Sequence, residues 1–198
     1  MISRQLRGAT ALLLGLVMVG AVAPTARAAT FRHTDATGDV RLSTSADGQT
    51  YRDAGVVRSV RRGDLTGLTV QHTLEVVRVS SGLRAPAQQW LARILTSTGN
   101  TYDVVRATDG SNAVVSFRRN GKAATCEGLS VVPTRSGIVA TVPRRCVGTP
   151  YRIKVGVQAG GELDRTAGRT RFGTDDALLV GTGRAFRPRL SGWIVGSA

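Results

Sequence analysis

The chain has 198 residues, with 27 Lys+Arg against 13 Asp+Glu, two cysteines and two histidines. That length fits one domain, or at most two small ones, and a 41% hydrophobic share is enough for a packed core. Two cysteines exclude a disulfide-dense scaffold and a four-cysteine zinc site, and two histidines leave little for His-based metal or hydrolase chemistry, so the balance points to a compact, basic, non-catalytic domain.

Residues 1–28 read as a secretory signal peptide. Arg4 and Arg7 precede an apolar stretch over residues 11–23, and Ala26-Arg27-Ala28 follows Pro24 as a cleavage site. That stretch is shorter than the about 20 residues a membrane-crossing helix needs. The mature chain is therefore expected to start at Ala29, to lack a transmembrane segment, and to be secreted, extracellular or cell-wall associated. Losing Arg4, Arg7 and Arg27 leaves 24 basic and 13 acidic residues, a formal net charge of +11. Only Lys122 and Lys154 of the basic residues are lysine, and abundant Arg, Ala, Gly and Val match the codon bias of a GC-rich genome.

Short β-branched runs separated by turn residues dominate the mature chain. Residues 56–60, 68–72, 76–80, 102–107, 113–118, 122–126, 129–132, 138–142 and 151–157 are predicted strands. In the last, Tyr151, Ile153, Val155 and Val157 alternate with Arg152, Lys154 and Gly156, which places the apolar side chains on one face. Asn120-Gly121 is the clearest hairpin signal, because both residues tolerate positive φ; Asp109-Gly110 and Arg135-Ser136-Gly137 mark further turns. Residues 86–95 fit either a helix or a strand buried on both faces. Residues 160–174 read as a long loop. The organisation predicted is one antiparallel β-sandwich domain over residues 29–182, with a loosely ordered or edge-packing tail over 183–198.

Cys126 and Cys146 allow one intramolecular pairing, and export favours a bridge over free thiols. No C-x-x-C motif and no histidine stands nearby to make them reactive.

Phe31 to Val40 (FRHTDATGDV), Asp64 to His72 (DLTGLTVQH), Cys126-Glu127-Gly128-Leu129 with Val142-Pro143-Arg144-Arg145-Cys146, and Asp175-Asp176-Ala177 together resemble a group of secreted actinobacterial proteins. The resemblance spans most of the mature chain. It implies a β-sandwich similar to family 9 carbohydrate-binding modules and DOMON domains, with residues 90–97 as a strand.

Catalytic signatures are absent: there is no G-x-S-x-G, H-E-x-x-H, Walker loop or dinucleotide fingerprint. His72 lies in phase with Leu68 and Val70 and is read as a half-buried strand residue; His33 is read as exposed. Asp35, Asp39, Asp175 and Asp176 bracket the domain and form a candidate calcium site if the first and last strands are neighbours. The same residues also suit plain turn chemistry. The doublets Arg61-Arg62, Arg118-Arg119 and Arg144-Arg145 are candidate contacts for anionic cell-wall polymer. No aromatic is interleaved with them, which argues against specific nucleic-acid binding. Tyr51, Trp90, Tyr102, Tyr151 and Trp193 are the candidates for stacking on a glycan, with Trp90 and Tyr151 assigned to the core by phase. Arg62-Gly63-Asp64 is read as a chance tripeptide. The function expected is that of a secreted, monomeric, non-catalytic binding or structural module at the cell envelope that holds anionic wall polymer or glycan. The alternative is a secreted hydrolase with two acids about 5–9 Å apart in a deep cleft.

Overall fold

The computed structural model describes residues 28–46, 50–166, 169–179 and 187–196; the predicted signal peptide lies outside them apart from Ala28. Strands in chain order are β1 (Ala29–Thr34), β2 (Arg41–Ser45), β3 (Arg52–Val56), β4 (Leu65–His72), β5 (Val76–Leu83), β6 (Gln89–Thr96) and β7 (Thr101–Asp109). They continue as β8 (Asn112–Arg119), β9 (Lys122–Ala124), β10 (Ser130–Thr134) and β11 (Gly137–Pro143). A 3-10 turn over Arg144–Val147 leads to β12 (Arg152–Thr166), β13 (Arg169–Asp176) and β14 (Ile194–Val195). Two antiparallel sheets pack together as a sandwich. The narrow sheet runs β1-β4-β5-β11-β10, and the wide one β3-β2-β13-β12-β6-β7-β8-β9, with β14 also paired to β12.

Alternation explains the layers. Leu68 and Val70 of β4, Val77 and Val79 of β5, and Ile138, Ala140 and Val142 of β11 form the buried inner face of the narrow sheet. Trp90, Ala92 and Ile94 of β6, Val104 of β7, and Ile153, Val155 and Val157 of β12 supply the other half of the core. One polar tie crosses it: the buried Trp90 indole N–H donates to Ser81 Oγ at 2.8 Å, linking β6 to β5. Ser81→Ala strands that donor in an apolar layer and is expected to cost about 1–3 kcal/mol in urea unfolding. An unchanged midpoint would show that the bond contributes nothing.

Cys126, just after β9, is bonded to Cys146 in the 3-10 turn after β11, with Cα atoms 5.4 Å apart. The bridge therefore staples an edge of the wide sheet to the narrow sheet. Asn120 and Gly121 turn β8 into β9 with φ of 50° and 79°, the geometry their sequence announces.

Four expectations need correction. Residues 160–174 are not a loop: they complete β12 and form most of β13, paired from Gln158↔Asp176 to Thr166↔Arg169. Their glycines serve close packing, since a Cβ on Gly160 would collide with the Gly173 carbonyl and one on Gly161 with the Gln88 side chain. Strand β3 ends at Val56, so residues 57–60 are not extended; Val57 instead donates its N–H to the Val40 carbonyl. Tyr151 precedes β12 and is 61% exposed, so it is not a core residue. His72 is fully buried rather than half-buried, because Gly196 lies over its ring and the Ile194 carbonyl lies 3.4 Å from Nδ1. Of the two readings of residues 86–95 the strand is the one found: residues 86–88 lead into β6, which is held between β7 and β12. Beyond the undescribed residues 180–186 the chain returns to the sheet, where Ser191 hydrogen-bonds to both the N–H and the carbonyl of Val155. No helix among the described residues is long and apolar enough to cross a membrane.

Candidate metal centre

Three strand boundaries meet at one end of the sandwich. Asp39 stands just before β2, Asp64 just before β4, and Asp175 near the end of β13, opposite the core residue Ala159. Gly38 takes a positive φ of 79°, which turns its N–H onto both Asp64 oxygens at 3.0 and 3.2 Å. The loops after β1 and before β4 are thereby tied together. One carboxylate oxygen from each of Asp39, Asp64 and Asp175 lies within 4.8 Å of the other two. None of these residues is more than 6% exposed.

The three differ in how their charge is met. Asp175 accepts the N–H of Leu65 at 2.7 Å and that of Asp176 at 2.8 Å. Asp64, fully buried, accepts Gly38 and an ion pair from Arg84 Nη1 at 2.7 Å. Asp39 has neither carboxylate oxygen hydrogen-bonded, although both are buried. Beside them Asp35 accepts the Ala36 N–H with one oxygen and leaves the other buried without a partner. Burial, then the charges of Asp175 and Asp39, pushes Asp35 up to about 8. Burial is also the main cause that pushes Asp175 up to about 7, with the charges of Asp39 and Asp64 adding to it. Asp39 is raised by burial and by Asp64. Buried carboxylates without donors are costly unless a proton or a cation meets them.

The donor set fits a hard cation. It is all oxygen, with no nitrogen or sulfur to favour zinc or copper. Calcium takes oxygens at about 2.3–2.6 Å, so ligands on opposite sides of one ion lie about 5 Å apart, and a group spanning 4.8 Å can share it.

Of the four acids expected here, Asp39 and Asp175 come together and Asp35 lies beside them. Asp176 does not join: its oxygens accept the N–H groups of Leu178 at 3.1 Å and Arg189 at 2.7 Å, fastening the returning chain. Asp64 is the member of the cluster that the sequence reading does not name. The signal was present, because Gly63-Asp64 before Leu65 repeats the Gly38-Asp39 dipeptide before Val40. Full burial also means that Arg62-Gly63-Asp64 is not displayed as a surface tripeptide.

The basic doublets do not form one patch. Arg62 bridges to Ala85 and donates to the Glu162 carbonyl at the carboxylate-bearing end. Arg119 lies over the Tyr102 ring, and Arg118 pairs in register with Asp103, both toward the opposite end of β6. Arg144 donates to the Pro150 carbonyl, and Arg145 to that of Glu127 beside the disulfide. Among the glycan candidates Trp90 and Tyr102 are buried, and Tyr51 packs edge-on against Phe172. Trp193 is 41% exposed, with Arg152 and Lys154 over its ring at 4.7 and 4.9 Å.

Fold and site together define a disulfide-stapled antiparallel β-sandwich with a buried carboxylate cluster at one end. No family model, curated protein or solved structure matches the chain.

Proposed function

We propose that this chain is an exported, non-catalytic binding module, ordered at one end by a divalent cation, that holds anionic wall polymer at the cell envelope. The observation that carries the reading is the convergence of Asp39, Asp64 and Asp175, with both Asp39 oxygens buried and unpartnered. The cation links the starts of β2 and β4 to the end of β13, so it acts on both sheets. The disulfide, which suits an oxidising compartment, supports export. The formal charge of +11 on the mature chain supports an anionic partner. Burial of every clustered carboxylate to 6% exposure or less favours an enclosed ion over a sugar ring lodged between two acids.

Calcium titrated into the metal-stripped mature chain at pH 8 is expected to raise the melting temperature, with half-saturation at about 0.1–1 mM, the range of extracellular calcium modules. Asp39→Asn should melt higher than the stripped wild type, because it removes an uncompensated buried charge, and should no longer respond to calcium. A wild type indifferent to calcium, magnesium and manganese would contradict the reading.

A further inference from the structure

A second site opens between the sheets at the same end. A cleft of about 310 Å³ is lined by the end of β5, the approach to β6, the end of β7 and the β10–β11 turn. That volume lies at the lower edge of the range for small-molecule sites. Among the described residues three arginines, Arg84, Arg106 and Arg135, line it, and no acidic residue does. Among the described residues, the side chains of Arg106 and Arg135 make no ion pair or hydrogen bond. Arg84 spends Nη1 on Asp64 and is otherwise part of the lining. Unpaired guanidinium groups on a concave wall raise the local potential and present donors in the fork that matches phosphate oxygens.

The remaining walls decide among anions. Leu83, Pro86, Pro133 and Ile138 are apolar, and among the described residues the side-chain hydroxyls come from Thr108 and Thr134. Among the described residues no aromatic side chain lines the cleft, so neither a base nor a pyranose ring finds a stacking platform there. A flexible polyol needs no such platform. We infer that this cleft is an anion site for a phosphate ester, as carried by a polyol-phosphate chain, held by Arg106, Arg135 and the free edge of Arg84. The inference rests on the reading of the chain as a binder of anionic polymer and places that binding here rather than on the arginine doublets.

The test uses the mature chain in EDTA, so that its outcome does not depend on the cation site. Poly(glycerol phosphate) is titrated by calorimetry against the wild type, against Arg106→Gln/Arg135→Gln, and against a charge-matched Arg32→Gln/Arg78→Gln control on the narrow sheet. All three should melt alike, since none of the four arginine side chains makes an ion pair or hydrogen bond among the described residues. The cleft variant is expected to lose affinity at least about tenfold and the control about twofold or less. Equal losses in both variants would overturn the site in favour of a diffuse basic surface. A preference for a single-stranded DNA oligomer of equal charge would overturn the ligand class. A parallel arm maps glycerol 1-phosphate and inorganic phosphate by amide chemical shifts. Shifts at Arg84, Arg106 and Arg135 with the ester, even if the wild type ignores the polymer, would uphold the anion site and contradict the polymer reading alone. A larger response to inorganic phosphate than to the ester would overturn the ester assignment. Ester shifts elsewhere, or none, would overturn the site.

Discussion

Stripped of divalent cations, the protein is expected to lose stability between pH 6.5 and pH 9, and calcium is expected to cancel that loss. In the folded state Asp35 is raised to about 8 and Asp175 to about 7, both mainly by burial. In the unfolded chain both return to the ordinary range near 4. Between these limits the folded state binds more protons than the unfolded one, so stability falls as pH rises and levels off above pH 8. At about 1.4 kcal/mol per pH unit and group, the loss from pH 6.5 upward amounts to roughly 2–3 kcal/mol. The window starts at 6.5 because His72 is lowered by burial and acts in the opposite sense below it. Calcium binds the ionised carboxylates, so its stabilisation grows with pH and reaches about 2.7 kcal/mol at a hundred times Kd. Thermal melts at the two pH values, in EDTA and in calcium, give the four numbers needed. A stripped protein that is more stable at pH 9 than at 6.5 would contradict the account.

Removing the staple is expected to cost roughly 2–5 kcal/mol. Cys126 and Cys146 close a loop 20 residues apart in sequence and tie an edge of the wide sheet to the narrow sheet. The strand just before Cys126, β9, has only three residues and among the described residues pairs with β8 alone. Without the bridge, that edge is held by its few ladder bonds, by the hydrogen bond from Arg145 to the Glu127 carbonyl, and by the side chains around Leu129 and Val147 that pack on the core. Urea unfolding of a Cys126→Ser/Cys146→Ser variant should show the lower midpoint, and reduction of the wild type should reproduce it. Calcium affinity should be unchanged, because neither cysteine belongs to the carboxylate cluster. A variant with the wild-type midpoint would remove the structural role assigned to the bond.

The sequence reveals strands where burial is one-sided and turns are explicit. Strands β5, β11 and the first half of β12 alternate, and their buried residues follow from phase. Strands β1, β2 and β3 were not legible, because ATFRHT, RLSTS and RDAGV are short and polar and owe their extension to sheet partners rather than to their own pattern. The β12–β13 hairpin was misread for a related reason. Glycine signals a loop locally, but here it admits a backbone or side chain packed against the strand face. The candidate site was half legible. Acids at the two ends of the domain could be paired from the expected closure of the sandwich. Asp64 lies mid-chain, and only the register of β4 against its neighbours brings it to Asp39 and Asp175. Asp176 shows the converse, a well-placed acid whose oxygens the backbone of the returning chain already claims.

An ion among Asp39, Asp64 and Asp175 is the feature on which the proposed function depends. The most direct measurement is anomalous diffraction from crystals of the mature chain soaked in terbium, which replaces calcium at oxygen sites. One peak within about 2.3–2.6 Å of oxygens from Asp39, Asp64 and Asp175, abolished in Asp39→Asn crystals, is the result expected. A soaked crystal with no peak there, and with a well-ordered cluster, would contradict the central claim.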